Sequence, residues 1–319
     1  MTEGGKCMKY LILDVDTGID DALAIAMVCG KEDTEIIGIT TAFGNTYLDY
    51  ATRNTLDVLY QLGHDCTDVY PGAKCPWGSD DWPVSDHLKV IHGNNGVGNV
   101  EFSHNPKKAR ETKAWDFMVR ASLRYREKLT IVCLGPLTNL ANAIKADREA
   151  MAQCGKIAIM GGALTVRGNI TPFAEANIYN DPKAAGYVFG SGLQLTVIGL
   201  DVTLKTIIMG EDIAFLKEMN TERSRCFHDM AYYYYANETG VIGGAMHDPL
   251  AVEAALNPDI ITEWHDIKLT VEQQGEARGR LMTTADLLLE TDRNVHYALD
   301  VDSRKFMKLF TGYLANAMK

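Results

Sequence analysis

The sequence predicts an α/β protein: an open, mostly parallel, doubly wound (Rossmann-like) sheet with helices on both faces and a helical insertion toward the carboxyl-terminal half. Three observations carry this expectation. Short apolar runs alternate with segments of helical spacing over residues 10–200. Those runs are continuously apolar, as strands covered on both faces are. After residue 210 the pattern turns largely helical before short strands return. Alternation of this kind argues for crossover units around a parallel sheet.

In order, residues 10–13 read as a buried strand and 20–29 as a helix. Residues 35–41 are a strand, and 49–62 carry helical spacing. Residues 112–128 read as a helix, 129–134 as a strand and 137–146 as a helix. Further strands are expected at 156–160 and 193–200, with a helix at 182–189 between them. Residues 211–237 and 248–256 read as helices. Residues 267–271, 281–284 and 295–299 read as short strands before a last helix at 303–317. No Pro/Gly/Ser-rich linker and no internal repeat divides the chain, so residues 1–319 read as a single domain.

The composition bounds the function. The chain has 319 residues, 46% of them hydrophobic, enough to bury a substantial core. The formal net charge is −11, from 31 basic and 42 acidic residues, and no basic patch is concentrated anywhere. A phosphate-backbone grip needs such a patch, so nucleic acid is not expected as a partner. The seven cysteines, Cys7, Cys29, Cys66, Cys75, Cys133, Cys154 and Cys226, are scattered and form no CxxC pair. The amino terminus shows no signal-peptide pattern and no apolar run approaches a membrane span, so the sequence reads as a reduced, cytoplasmic protein.

The polar residues that stand out fall where predicted strands end, which is where an open parallel sheet binds its ligand. The strongest cluster is YLILDVDTGIDDA, residues 10–22, in which Asp14, Asp16, Asp20 and Asp21 crowd a strand exit. A favourable helix dipole accounts for Asp20 and Asp21 at a helix start. It does not account for four carboxylates within so short a stretch, whose repulsion calls for a hard cation. GGAMHDPL, residues 243–250, offers His247 as an acid–base group and Asp248 as a further carboxylate from a distant segment. Residues 160–181 form a long polar loop with Asn169, Glu175 and Asn177, donors and acceptors suited to sugar hydroxyls. HGNNGVG, residues 92–98, reads as a flexible glycine-rich loop. LGPLTNL, residues 134–140, reads as a strand exit whose carbonyls face the same crevice. The tyrosines at 232–235 read as partly core, with any one ring able to border a pocket.

Taken together these segments resemble the inosine–uridine-preferring nucleoside hydrolase family. DVDTGIDDA matches its amino-terminal DxDxGxDDA signature. TAFGN (41–45), HGNNG (92–96), LGPLTNLA (134–141), IMGG (159–162), GNITPFAEANIYNDP (168–182) and HDPLAV (247–252) follow in family order, over residues 9–300.

The resemblance implies calcium-dependent cleavage of the N-glycosidic bond of ribonucleosides to free base and ribose, and a part in nucleoside salvage. It implies a Ca2+ site built from Asp16, Asp21, Asp248 and the backbone carbonyl of Leu134, the ion also taking two ribose hydroxyls and the attacking water. Asp16 is implied as the general base, and His247 as the candidate acid for the departing base. Asp20 and Asn177 would bind the 2′- and 3′-hydroxyls, and Asn169 and Glu175 the 5′-hydroxyl. Asn45 would support the water and ribose, Met160 would line the sugar face, and Asp14 would support the metal site from behind. The family is usually dimeric or tetrameric. His92, His247 and the tyrosines lean toward pyrimidine or mixed nucleosides. Two positions depart from the family pattern: Ala176 stands where an aromatic is common, and Leu134 where Thr is common. Only the backbone of Leu134 is needed.

Two other readings compete. A strand ending in DxD also resembles a haloacid-dehalogenase-type phosphatase, with Asp14 as nucleophile and Asp16 as acid–base, but the downstream Ser/Thr, Lys and acidic pair of that family are not found. A non-catalytic nucleoside- or sugar-binding protein would keep the 169–177 loop without needing a base at Asp16.

Overall fold

A strand bearing Leu11, Ile12, Leu13 and Val15 is stable only where both faces are covered, and all four side chains are fully buried. The computed structural model describes residues 8–237 and 243–319 and places this segment as β1 (Lys9–Val15) inside a sheet. Cys7 and the amino-terminal residues before it lie outside the described residues. On one side β1 pairs in parallel with β2 (Thr34–Thr41), and β2 with the three-residue strand β3 (Val69–Pro71). On the other side β4 (Leu129–Cys133), β5 (Lys156–Met160) and β6 (Leu195–Ile198) follow in parallel. Later come β7 (Ile207–Ile208) and β8 (Gly244–Ala245), which pair with each other, and β9 (Ile261–Ile267). The pair β10 (Thr270–Val271) and β11 (Leu281–Met282) precedes β12 (Val295–Val301). The main sheet runs β3-β2-β1-β4-β5-β6-β12-β9, all parallel except β9 at its edge.

Helices cover both faces. One face buries the helices Ile19–Cys29, His247–Leu256 and Ser303–Ala317; the other buries Ala114–Tyr125, Thr138–Ala146 and Pro182–Phe189. The last helix is amphipathic and turns Phe306, Phe310, Leu314 and Ala317 inward at helical spacing. His247–Leu256 is different: every residue in it is buried, so it runs through the core. Among the described residues no helix is long and apolar enough to cross a membrane.

Four local expectations are corrected. His92 does not open a flexible loop; it ends the helix Asp86–His92, started by the Ser85 side chain and stopped at Gly93 with φ 76°. Residues 211–237 are two helices, Gly210–Met219 and Glu222–Asn237, because Asn220 takes the left-handed conformation at φ 53°. The strand expected at 267–271 is displaced: the edge strand is Ile261–Ile267, and Thr270–Val271 belongs to the separate pair. The loop after β5 contains a short helix, Ala176–Asn180, capped by Glu175 accepting from the Asn177 and Ile178 amides.

The topology fixes where a ligand can enter. From β1 the chain moves outward to β2 and β3, then returns to add β4 on the other side. The carboxyl ends of β1 and β4 therefore flank a crevice at the point where the strand order reverses.

Candidate active site

β1 delivers Asp14 and Asp16 to that crevice, and the next helix starts at Ile19 with Asp20 and Asp21 in its first turn. The His247–Leu256 helix brings His247 and Asp248 to the same place by its amino-terminal end. Asp20, Asp21 and Asp248 each offer a carboxylate oxygen, all within 4.8 Å of one another. Asp16 lies beside them and is clasped by Asn45, whose backbone amide donates to Oδ2 at 2.7 Å and whose side chain donates to Oδ1 at 3.3 Å. The same Asn45 amide group reaches Asp21 Oδ2 at 3.4 Å, and the Gly18 amide donates to that oxygen at 2.8 Å. Asp16 is walled in by two glycines. A Cβ on Gly44 would sit 1.8 Å from its Oδ2, and one on Gly135 would meet its Oδ1 at 3.0 Å.

Above the carboxylates opens a cavity lined by Asp20, Asn45, His92, Leu134, Met160, Asn169, Glu175, Asn177, His247 and Asp248. His87, Leu88, Ile91, Ile170, Ala176 and Tyr234 complete its wall. Nearly every residue singled out in the sequence thus borders one space. Asn177 donates to the carbonyl of Leu134 at 2.6 Å and to that of Met160 at 3.2 Å, tying the ends of β4 and β5 together. Glu175 accepts from the Gly162, Asn177 and Ile178 amides, and Asn169 from the Ala176 amide. Asp14 is different. Like Asp16 and Asp21 it stands outside the cavity wall, but its Oδ1 accepts from Thr40 at 2.7 Å and from Asn139 at 2.8 Å, neither of which borders the cavity.

The electrostatics follow from burial. Desolvation raises Asp14 to about 7, against hydrogen bonds from Thr40 and Asn139 that pull it down. Desolvation lifts Asp21 to about 6 despite the Gly18 amide. Asp16 is pushed well above the carboxylate range, first by burial and then by the Asp21 charge, and Asp248 likewise by burial and then by Asp20. Burial drives the imidazoles the other way, His247 to about 4 and His92 to about 3, so both are neutral near pH 7. One oxygen of Asp21 and one of Asp14 are buried with no hydrogen-bond partner. Buried acidic oxygens, some unpartnered, with proton affinity raised by burial and, at Asp16 and Asp248, further by neighbouring carboxylates, are the donor set a hard divalent cation takes. The residues present fit such an ion.

Two site features escape sequence reasoning. Thr203 Oγ1 lies 2.8 Å from His247 Nδ1. Asn139 reaches Asp14, the Thr41 carbonyl and the Ala73 amide, joining three segments under the site. Only the LGPLTNL run hinted at Asn139, and nothing hinted at Thr203. The wall residues His87, Leu88 and Ile91 share the short Asp86–His92 helix, for which Ser85 followed by Asp86 was the available signal.

Comparison with known proteins agrees with this geometry. The model of the family described as "Inosine-uridine preferring nucleoside hydrolase" matches residues 11–308. Uridine nucleosidase 1 of Arabidopsis thaliana is 38% identical over 281 residues, covering 87% of this chain and 82% of that protein. The non-specific ribonucleoside hydrolase RihC of Escherichia coli is 32% identical over 308 residues, 96% of this chain and 98% of that protein. Among solved structures, a purine-preferring ribonucleoside hydrolase from Gardnerella vaginalis superposes with a TM-score of 0.94 at 37% identity, covering 98% of this chain and 99% of that one. A match over nearly the whole chain, on a crevice built as described, leads to one assignment: the chain belongs to the inosine-uridine preferring nucleoside hydrolase family and is a nucleoside hydrolase.

Proposed function

We propose that this chain hydrolyses ribonucleosides of both pyrimidine and purine bases with calcium as its cofactor, Asp16 acting as general base and His247 serving the departing base. The observation that carries this reading is the convergence of four buried carboxylates, Asp16, Asp20, Asp21 and Asp248, at a cavity that is also lined by a neutral His247.

Asp16, Asp21, Asp248 and the Leu134 carbonyl would hold the ion; the oxygens grouped within 4.8 Å of one another are those of Asp20, Asp21 and Asp248. Calcium, when bound, supplies positive charge that compensates the cluster and open positions for hydroxyl and water oxygens. Asp20 and Asn177 bind the 2′- and 3′-hydroxyls, and Asn169 and Glu175 the 5′-hydroxyl, which fixes the anomeric carbon over Asp16. Asp16, oriented by Asn45, takes a proton from the water as its oxygen bonds to that carbon. The bond to the base nitrogen breaks with its electron pair going to the base, and an oxocarbenium-like state passes between the two events. The acidic floor stabilises that positive charge. With the Thr203 hydroxyl as donor in its 2.8 Å contact with His247 Nδ1, the neutral imidazole would carry its proton on Nε2, where it can hydrogen-bond to the leaving base.

Mixed base acceptance is supported by the relatives. Proteins of nearly equal similarity are named a uridine nucleosidase, at 38% identity, and a purine-preferring hydrolase, at 37%. The phosphatase reading is not favoured, since its nucleophile would be Asp14, whose carboxylate accepts from Thr40 and Asn139, neither of which borders the cavity. The resemblance also carries a cytoplasmic homodimer or homotetramer, which size-exclusion chromatography with light scattering tests. The treatment of residues 1–319 as one domain is supported by a main sheet whose strands come from Lys9 through Val301.

The test is a panel of inosine, uridine and cytidine, with and without calcium, followed by release of free ribose, with Asp16→Ala as control. Ribose release from all three that needs calcium and Asp16 is expected. Full activity in the variant would remove Asp16 as base, and binding without turnover would leave a binding protein.

A further inference from the structure

The two helices that bring carboxylates to the site lie side by side and point the same way. Ile19–Cys29 and His247–Leu256 pack against each other, both amino-terminal ends at the acidic cluster and both carboxyl-terminal ends at the far side of the sheet. That far side is where three lysines meet. Lys9, the first residue of β1, donates from Nζ to the carbonyl of Leu256 at 2.8 Å. Lys156, the first residue of β5, donates to the carbonyl of Ala255 at 2.7 Å. Lys31, just beyond the first helix, forms an ion pair with Glu253 at 2.8 Å, with side chains only 4% and 1% exposed, and lies 3.8 Å from the centre of the Tyr313 ring.

The last carbonyls of a helix have no partner within it and carry its negative dipole end. Here cationic side chains rooted on β1, on β5 and just beyond the companion helix meet that end. β1 also carries Asp14 near its opposite end and leads directly into Asp16, β5 carries Met160, and the companion helix carries Asp20 and Asp21. The lysines therefore tie one end of the His247–Leu256 helix to the same elements whose other ends surround its His247 and Asp248. Its other end is held where His247 Nδ1 lies 2.8 Å from Thr203 Oγ1 and the Met246 amide donates to the Thr206 carbonyl at 2.8 Å, so the lysines fix the one end that those contacts leave. A slip of one residue moves Asp248 by about 1.5 Å, whereas metal–oxygen distances tolerate only about 0.2 Å.

We infer that Lys9, Lys31 and Lys156, with Glu253, are positioning residues that act as an axial stop for the His247–Leu256 helix and so set Asp248 against Asp16, Asp20 and Asp21. The inference rests on the proposed role of Asp248 as a calcium ligand.

Calcium titration of the purified full-length protein by calorimetry, alongside calcium-free melting temperature and circular dichroism, tests it. Two variants remove the stop while keeping apolar volume: Lys31→Met/Glu253→Leu and Lys9→Met/Lys156→Met. Lys156→Met alone is the mild form, and Lys31→Arg keeps the ion pair. The double variants are expected to keep the helical spectrum while calcium affinity falls at least tenfold and KM rises with it. Lys156→Met should lose affinity severalfold, and Lys31→Arg should stay within twofold of the parent. A purely structural role would lower the melting temperature and leave the affinity of the folded protein alone. Folded double variants, or Lys156→Met where neither double folds, binding calcium as tightly as the parent would overturn the stop. If the parent itself takes up no calcium, the metal reading falls and takes the stop with it.

Discussion

Thr203 and His247, 44 residues apart in sequence, meet through a 2.8 Å contact between a hydroxyl and Nδ1 in a buried setting. Thr203 ends the short helix Leu200–Thr203 after β6, so the strand next in line along the sheet orients the imidazole. With His247 held neutral by burial, its usefulness depends on which nitrogen carries the proton, and that is set by what the other nitrogen meets. Thr203→Val keeps the shape and removes the hydroxyl. It should lower kcat roughly tenfold with little change in KM, in line with the cost of losing a group that orients a site histidine. Thr203→Ser should recover most of the loss. Steady-state rates on inosine and uridine check this, and an unchanged kcat in the valine variant would free His247 from Thr203.

Function and stability should oppose each other at Asp16. Its carboxylate is buried among three others, and a buried charge without compensation costs several kcal/mol. Asp16→Asn keeps the outline and discards the charge. In calcium-free buffer the variant should melt a few degrees higher than the parent, and added calcium should shift it less. Its kcat should fall by about 100-fold or more, the range for losing a general base. Melting curves with chelator and with calcium decide the stability half, and a variant that melts lower without calcium would contradict it.

What could be read in the sequence and what could not divide along a physical line. DVDTGIDDA is legible because the strand, the turn and the helix start that gather Asp14, Asp16, Asp20 and Asp21 are contiguous. His247 and Asp248 are legible because a short polar motif opens an otherwise apolar helix. The strand Ile261–Ile267 was misplaced because it is an edge strand whose Glu263, His265 and Asp266 face solvent or side-chain partners, so its polar pattern hides the strand. The helix Asp86–His92 escaped because seven residues hold barely two turns of periodicity, and the glycines after it dominate the reading. Thr203 and Asn139 matter only through partners 44 and 125 residues away, and no local pattern reports such a contact.

The raised carboxylates make the calcium-free protein sensitive to pH in a stated direction. Asp14 titrates near 7 and Asp21 near 6 in the folded state, against about 4 when unfolded. A carboxyl with raised folded pKa holds its proton better when folded, so stability is lost as pH rises from the unfolded value through the folded one. His92 and His247 are depressed and act oppositely, since their contribution is lost as pH falls below about 6.5. The unfolded histidines are still half protonated at about pH 6.5 and become neutral only by about pH 7.5, so from there to about pH 9 the acidic cluster decides. The calcium-free melting temperature should therefore fall over that window, while calcium affinity rises because its ligands must lose protons to bind. Calorimetric scans at pH 7.5, 8.25 and 9 with chelator, paired with calcium titrations, measure both. A melting temperature that climbs with pH would contradict the burial that sets these shifts.

Asp20 leads to the sharpest substrate prediction. It lines the cavity while its oxygen lies within 4.8 Å of those of Asp21 and Asp248, so a hydroxyl bound there meets both a carboxylate and the proposed ion. A 2′-deoxyribose lacks that hydroxyl and leaves buried polar groups without a partner, a loss that selects strongly against the smaller analogue. Deoxyribosides form the oxocarbenium-like state more easily than ribosides, so chemistry alone would favour them. Any preference for the riboside must come from the site. We expect kcat/KM for 2′-deoxyuridine at least about 100-fold below that for uridine. The gap should narrow in Asp20→Ala, where the riboside has lost the same partner. Comparable turnover of the two substrates by the parent enzyme would remove the 2′-hydroxyl from the acidic cluster. An undiminished gap in the Asp20 variant would move the recognition to another residue.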